Sequence, residues 1–412
     1  MLCAATPTKE ETLVQKWIVG LVVCAVTALF ATLAIADKKY GPGASDTEIL
    51  LGQTMPYSGP VSAAGVIGKA MDAYFAKINS EGGVNGRRIR LLSRDDAYSP
   101  PKTVEQTRRL VEQDAVLAIV GNVGTATNGA IQKYLNNNHV PQLFISSGFQ
   151  PDPTKSPWTM GWLPTYASEA RIYANYILNN RPNAKIAILF QQDDFGRDSL
   201  KAFVDALGAR ADTMIVSKLS YHVTEPTVES QLVSLRSSGA DVFFSISTHK
   251  FTSQAIRKVH ELGWDPLMLI PSVSSSIEAV LKPAGLANAT GTIAALLQKD
   301  PVDPAWDSDQ GKRDWLSWME KYYPNGDRAD RGNVAGYTIA QLVVEVLKLC
   351  GDDLTRENVM KQAASLRGVQ FPMILPGITA NTDSTDYQPF KKLQLHRFDG
   401  RSWKPLSPPA ED

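Results

Sequence analysis

Residues 49–96 constrain the fold more than any other part of the chain. An apolar run at 49–55 predicts a buried strand, and a second strand is predicted at 89–93. Between them, apolar side chains recur every three or four residues, which predicts a helix that buries one face. These side chains are Ile67, Met71, Tyr74, Phe75 and Ile78. Strand, helix and strand in this order start a parallel sheet, and open sheets of this kind bind ligands where small polar loops follow the strands.

The same alternation continues along the chain. Further strands are predicted at 116–120, 142–146, 185–190, 214–219, 242–247, 267–270 and 292–297. Helices are predicted at 101–113, 125–137, 168–179, 196–207, 228–237, 252–262, 309–322, 334–349 and 355–366. Nearly continuous apolar strands suit parallel sheets that are covered on both faces. The alternation therefore predicts a doubly wound α/β architecture, and 412 residues are enough for two or three domains.

The N-terminal segment predicts export. An apolar run at 17–34 ends in Ala34-Ile35-Ala36, which fits the small-x-small rule for signal-peptide cleavage. We therefore predict a signal peptide at 1–36, a mature start near Asp37 and a flexible, glycine-containing lead-in at 37–46. An uncleaved membrane anchor is the alternative, because the apolar run is close to the length that spans a bilayer.

Charge and cysteine content exclude several classes of protein. Forty-two basic and 42 acidic residues cancel, so no overall field attracts nucleic acid or anionic lipid. Of three cysteines, two lie in the predicted leader, and Cys350 alone cannot form an internal disulfide. The cysteines and histidines lack the spacing of a zinc site, so we predict no metal and no cofactor. A Gly-x-Ser-x-Gly nucleophile elbow is also missing, and we predict that the protein is not an enzyme.

The order of several short motifs resembles the type I periplasmic solute-binding proteins, specifically the branched-chain amino acid (leucine-binding) family of ABC importers. The motifs are Ser58-Gly59-Pro60, Ile78-Asn79, Gly82-Gly83-Val84-Asn85-Gly86, Asp95-Asp96, Val120-Gly121 with Thr125, Pro141 with Ser146-Ser147-Gly148, and Asp194-Phe195-Gly196. Each motif alone is weak, since the glycine series by itself is only a turn. The ordered series, which covers roughly residues 47–407, is much more specific.

The resemblance implies the type I periplasmic binding fold, in which two Rossmann-like α/β lobes are joined by three crossings of the chain. Lobe 1 would hold 47–164 and 300–378, and lobe 2 would hold 165–299 and 389–407. Apart from the resemblance, the proline-rich end of the chain predicts a frayed tail at 408–412. In such proteins the ligand binds between the lobes, which close on it by hinge bending.

The resemblance also implies where a ligand carboxylate would bind. Thr125 opens a helix, and the family uses a hydroxyl residue at this position to bind the carboxylate. The next strand is followed by Ser146, Ser147, Gly148 and Phe149, where the family supplies hydroxyl and backbone groups to the same carboxylate. A helix cap is the alternative role for Thr125.

On lobe 2, the resemblance implies that Phe195 packs over the ligand and that loops with Thr248 and Ser272 cover it. The amino acid binders carry a glutamate at the position of Ser272, where it pairs with the ligand's ammonium group. A buried ammonium without a counter-charge is costly, so we predict an organic acid without an amine rather than a branched-chain amino acid. Tyr57 and Tyr98 lie in further cleft loops and favour an aromatic acid.

The sequence therefore predicts a periplasmic substrate-binding subunit of an ABC importer that captures a small carboxylate and delivers it to membrane permease subunits. We expect a monomer that binds no nucleic acid. A ligand-sensing regulatory receptor of the same fold is the alternative. The predicted leader discriminates between the two, because a cytoplasmic regulator has no need of one.

Overall fold

A computed structural model describes residues 38–410, so the predicted signal peptide at 1–36 lies outside the described residues. The strands are β1 (Lys39–Tyr40), β2 (Glu48–Met55), β3 (Arg88–Asp95), β4 (Ala118–Val120), β5 (Gln142–Ile145), β6 (Thr159–Gly161), β7 (Ile186–Gln191), β8 (Ile215–Tyr221), β9 (Val242–Ile246), β10 (Leu267–Leu269), β11 (Ile293–Leu296), β12 (Asp353–Leu354), β13 (Gln394–Phe398) and β14 (Trp403–Pro405).

The α-helices are α1 (Val66–Ser80), α2 (Pro100–Arg108), α3 (Thr125–Asn137), α4 (Tyr166–Asn180), α5 (Asp194–Leu207), α6 (Ala211–Met214), α7 (Glu229–Arg236), α8 (His249–Glu261), α9 (Lys282–Ala284), α10 (Gln310–Tyr322), α11 (Arg331–Cys350) and α12 (Arg356–Ala363). Short 3-10 or π-helical segments lie at Ser62–Gly65, Arg109–Gln113, Gly208–Arg210, Ser272–Ser274, Ile277–Leu281 and Pro304–Trp306.

A five-stranded sheet in the order β3-β2-β4-β5-β6 organises the first unit, and every neighbouring pair in it is parallel. In the pairing of β2 with β3, Glu48 lies opposite Arg88 and Met55 lies opposite Asp95. Residues 49–55 of β2 are all buried, as expected for a parallel strand that is covered on both faces. Because the strands are parallel, the loops at their carboxyl ends meet at one edge of the sheet.

A seven-stranded sheet in the order β14-β13-β11-β10-β9-β7-β8 organises the second unit. Strands β11, β10, β9, β7 and β8 are parallel, whereas β13 and β14 are antiparallel to their neighbours. The sequence reading did not predict β13 and β14. Polar residues alternate irregularly with apolar ones in Gln394–Phe398, so the usual strand pattern is weak there.

The chain passes between the two units three times. It leaves the first sheet after β6, returns after β11, and enters the second sheet again at β13. On its return it forms α11, which packs along α1 of the first unit. Gly336 permits this close packing, because a Cβ atom there would overlap the carbonyl oxygen of Ile67. Helix α11 is long and apolar enough to span a membrane, but most of it is buried in this core.

The lead-in predicted as flexible at 37–46 is bonded to the first unit from Gly41 onward. The amide of Gly41 donates to the carbonyl of Leu354 at 3.0 Å. At the other end, Leu393 and Ala410 exchange two backbone hydrogen bonds of 2.9 Å, so the tail is not frayed as far as residue 410, and 411–412 lie outside the described residues. Both expectations rested on glycine and proline content, which does not reveal backbone partners distant in sequence.

Candidate functional site

A cavity of about 120 Å³ lies between the two units. Its wall contains the loops that follow β4 and β5 in the first unit and β7, β9 and β10 in the second. Most of the wall is apolar, as the presence of Val61, Ile67, Trp162, Leu163, Val273 and Leu297 indicates. A mostly apolar cavity with a few convergent polar groups is typical of a small-molecule site.

Three hydroxyl groups meet in or directly behind the wall, and we call Thr125, Ser147 and Tyr166 the hydroxyl cluster. Oγ1 of Thr125 lies 2.8 Å from Oγ of Ser147 and 2.8 Å from the Tyr166 hydroxyl. The Ser147 and Tyr166 hydroxyls are 3.4 Å apart. Gly124 is the N-cap of α3, and the Thr125 side chain forms no cap hydrogen bond. The alternative role of Thr125 as a helix cap is therefore wrong.

The hydroxyl cluster can donate to an oxyanion without carrying charge. Each hydroxyl has one proton and two acceptor lone pairs. The two short contacts need only two of the three protons, which leaves one for a ligand. Burial raises the pKa of Tyr166 to about 12, so its hydroxyl remains a donor at neutral pH.

Tyr98 of the first unit and Phe195 of the second unit both form part of the cavity wall. The Phe195 ring lies 5.7 Å from the Tyr166 ring between centroids and is buried. The Tyr98 hydroxyl donates to Oδ2 of Asp193 at 3.3 Å, which joins the first unit to the second. Asp193 also accepts from Gly196 as the N-cap of α5, so its carboxylate is already engaged.

The loop that begins at Ser272 is held by one acidic and one basic residue. The amide of Ser272 donates to Oε1 of Glu169 at 2.6 Å, and its hydroxyl donates to Oε2 at 3.2 Å. The carbonyl of Ser272 accepts from Nη2 of Arg331 at 2.8 Å. Glu169 comes from α4, so the fold brings a carboxylate to the loop where the sequence has only serine. Glu169 also accepts from the Tyr173 hydroxyl.

Burial shifts the pKa values of the ionisable groups around this loop toward their neutral forms. Desolvation raises the pKa of Glu169 to about 7 and that of Asp300 to about 6, although both accept backbone hydrogen bonds. Desolvation also lowers the pKa of His249 to about 4, with a further contribution from the charge of Arg331. At neutral pH His249 is uncharged and Glu169 is partly protonated.

Six residues predicted to bind ligand lie in the cavity wall: Tyr98, Thr125, Ser146, Phe195, Thr248 and Ser272. The structure brings them together from both units, although they span 175 positions of the sequence from 98 to 272. Their contact with a ligand stays a prediction.

Four predicted residues lie elsewhere. Tyr57 is not part of the cavity wall, and its hydroxyl lies 2.6 Å from Oγ of Ser93. Gly148 and Phe149 line a second pocket together with residues of α4 and α5. Ser147 lies behind the wall, where it contributes through its contact with Thr125.

The sequence reading missed Tyr166, Glu169 and Arg331. Glu169 lies 103 positions from Ser272 in the sequence, and Tyr166 lies 41 positions from Thr125. Local sequence patterns cannot predict contacts over such separations. One usable signal was Arg331, a charged residue at the start of the apolar segment 334–349.

Comparisons with known proteins agree with the resemblance. Residues 48–401 match the sequence model of the family described as "Periplasmic binding protein". A relative from Brucella melitensis, Leu/Ile/Val-binding protein homolog 3, is 25% identical over 289 residues, which cover 68% of this chain and 73% of the relative.

Two solved structures share the fold. A branched-chain amino acid ABC transporter protein from Thermus thermophilus with bound valine has a TM-score of 0.80 at 16% identity, over 90% of this chain and 98% of that one. A fatty acid ABC transporter substrate-binding protein from Thermomonospora curvata has a TM-score of 0.75 at 20% identity, over 91% and 95%. The predicted type I α/β fold is confirmed.

Proposed function

Because this chain belongs to the periplasmic binding protein family, we propose that it is the substrate-binding subunit of an ABC importer. It captures one small carboxylate, an aromatic or other organic acid, between its two lobes and delivers it to membrane permease subunits. It works as an exported monomer in the periplasm, without enzymatic activity. We assign 47–164 and 300–378 to lobe 1 and 165–299 and 389–407 to lobe 2.

The hydroxyl cluster at an apolar cavity carries this proposal. Thr125 and Tyr166 present uncharged donors next to the positive end of α3, where Gly124 leaves amide groups unoccupied by any side-chain cap. A helix N-terminus and hydroxyl donors together favour a carboxylate. The apolar remainder of the wall favours a hydrocarbon body.

The volume of the cavity limits the size of the ligand. An engineered apolar cavity of roughly 150 Å³ holds benzene, and this cavity measures about 120 Å³. A short branched acid therefore fits the cavity as it stands, and an acid that carries a ring requires the two lobes to move apart by hinge bending. The two solved structures with named ligands, valine and fatty acid, show how widely the fold varies in what it binds.

The charges around Ser272 disfavour an amine. Glu169 is the carboxylate nearest to this loop, but it already accepts from Ser272 and Tyr173, and burial favours its neutral form. Arg331, a cation, lies in the cavity wall. Asp330 lies in the same wall and, like Glu169, already accepts a backbone hydrogen bond. A ligand ammonium would lose its hydration and find only carboxylates that are already bonded within the protein.

A paired titration of purified protein tests the proposal. Phenylpropanoate is compared with phenylalanine, and isocaproate with leucine, by calorimetry. We expect each acid to bind at least about tenfold more tightly than its amino acid analogue. Tighter binding of leucine or phenylalanine contradicts the assignment of an amine-free ligand.

N-terminal sequencing of periplasmic protein tests export. We expect a start near Asp37, and a membrane-bound form that retains 17–36 would be the contrary result.

A further inference from the structure

Arg331 has hydrogen-bonding capacity that the protein does not use. It stands at the first position of α11 and lines the cavity. Its guanidinium group has five N–H donors. Within residues 38–410, it forms one hydrogen bond, to the carbonyl of Ser272, and no ion pair. Arg331 is half-buried, and its remaining donors are not among the buried unpartnered atoms of the described residues, so they are accessible to a ligand in the cavity.

The charge of Arg331, in contrast, is balanced. Asp300, Asp330 and Glu169 are close enough to oppose the lowering of its pKa by burial. Their carboxylates accept from other groups, as Asp300 does from the amide of Ile277 at 2.9 Å. The cavity therefore offers N–H donors without a net positive charge, and a second full negative charge in the ligand would meet three acidic neighbours.

We propose that Arg331 binds an uncharged oxygen acceptor, a carbonyl or hydroxyl oxygen, on the body of the ligand. This inference rests on the proposed function, because the carboxylate of the same ligand is assigned to the hydroxyl cluster. The substrate class then becomes small oxygenated acids, such as oxo or hydroxy acids. Arg331 would be a specificity-determining residue that selects them over plain hydrocarbon acids.

A comparison of four acids tests this assignment. Phenylpropanoate is the parent, phenylpyruvate adds an oxo group, para-hydroxyphenylpropanoate adds a hydroxyl group, and para-carboxyphenylpropanoate adds a second charge. Affinities are measured by calorimetry for the wild type, Arg331→Met and Arg331→Lys. The control is Arg328→Met, which removes an exposed arginine before the same helix.

We expect the oxo or the hydroxyl acid to bind the wild type at least about tenfold more tightly than phenylpropanoate. Arg331→Met should reduce that preference to less than about twofold, whereas Arg328→Met should retain it. Arg331→Lys keeps the positive charge but loses the planar guanidinium group, so it should retain only part of the preference. If Arg331→Met does not fold, the lysine variant supplies the test.

Four outcomes would overturn the inference. If phenylpropanoate binds but neither oxygenated acid binds more tightly, Arg331 has no such role while the proposed function stands. A preference that persists in the Arg331 variants removes Arg331 as its cause. Tighter binding of the dicarboxylate than of the hydroxyl acid shows that the acceptor is charged. If none of the four acids binds, the proposed function and this inference fail together.

Discussion

The carbonyl oxygen of Ser272 accepts a 2.8 Å hydrogen bond from Nη2 of Arg331, and this contact joins the second unit to the first. The amide and hydroxyl of the same serine donate to Glu169. One residue thus links a cation on α11 to a carboxylate on α4. Any change in the protonation of Glu169 therefore acts on a contact that holds the two units together.

The first prediction concerns pH and stability. Glu169 has a pKa of about 7 in the folded protein against an ordinary value of 4.5. Its contribution to the free energy of unfolding is therefore fully present below pH 4.5 and is lost as the pH rises to about 7. His249 has a folded pKa of about 4 against 6.5, so its contribution is full above pH 6.5 and is lost as pH falls to about 4. Each effect is worth roughly 3 kcal/mol, and the two oppose each other.

Single variants should separate these effects. In Glu169→Gln the histidine effect remains, so the free energy of unfolding should fall more steeply than in the wild type between about pH 7.5 and pH 5. In His249→Asn the effects of Glu169 and Asp300 remain, so stability should rise over the same interval. Urea unfolding at both pH values measures the difference. Parallel pH dependences in all three proteins would refute the assigned pKa shifts.

The fold was predictable because its signals are local. Helix α3 was expected at 125–137 and spans Thr125–Asn137, since a glycine-rich loop precedes it and a row of asparagines ends it. Where the backbone departs from regular helix, prediction was less accurate. The helix expected at 101–113 is α-helical only to Arg108 and continues as a π-helical segment at Arg109–Gln113.

The candidate site was predictable only in part, because loops at strand ends can be located but their partners cannot. Thr125 and Phe195 follow predicted strands and line the cavity. Phe149 follows a predicted strand too, yet it lies in another pocket, since the chain turns after Ser147. The partners of these loops come from helix starts, as Tyr166 and Arg331 show, and pairings between distant elements leave no local pattern.

The second prediction concerns Thr125→Val, which keeps the shape of the side chain and removes its hydroxyl. Affinity for phenylpropanoate should fall by about 1.5–3 kcal/mol, the value of a hydrogen bond to a charged group. The free energy of unfolding should fall by only about 1 kcal/mol, because Ser147 and Tyr166 remain close to each other. Calorimetry and urea unfolding measure the two quantities.

Thr127→Val is the matched control. Thr127 is buried in the same helix, and its hydroxyl donates to the carbonyl of Val123 at 2.6 Å, away from the hydroxyl cluster. This variant should lose stability without a comparable loss of affinity. Equal affinities for wild type and Thr125→Val would place the carboxylate elsewhere.

The third prediction concerns two glycines that differ in their surroundings. A Cβ atom at Gly196 would overlap the carbonyl oxygen of Gln191, whereas one at Gly129 would meet nothing within 4 Å. Gly196→Ala should therefore cost about 1–3 kcal/mol of stability, as overpacking does. Gly129→Ala, on the exposed face of α3, should stabilise by up to about 1 kcal/mol. Thermal unfolding of both variants provides the comparison, and equal effects would contradict the packing at the start of α5.

The last prediction concerns the aromatic preference of the cavity. The buried ring of Phe195 lies against the Tyr166 ring and in the cavity wall, where a ligand ring can pack on it edge to face. Aromatic pairs contribute about 0.5–1.5 kcal/mol beyond their buried area. Phe195→Leu should therefore weaken the binding of phenylpropanoate by about 0.5–1.5 kcal/mol more than it weakens the binding of isocaproate. The control is Phe251→Leu, because the Phe251 ring packs against Tyr221 and lies outside the cavity wall. This variant should lower the free energy of unfolding but leave the ratio of the affinities for phenylpropanoate and isocaproate unchanged. An unchanged ratio in Phe195→Leu would mean that no ligand ring contacts Phe195.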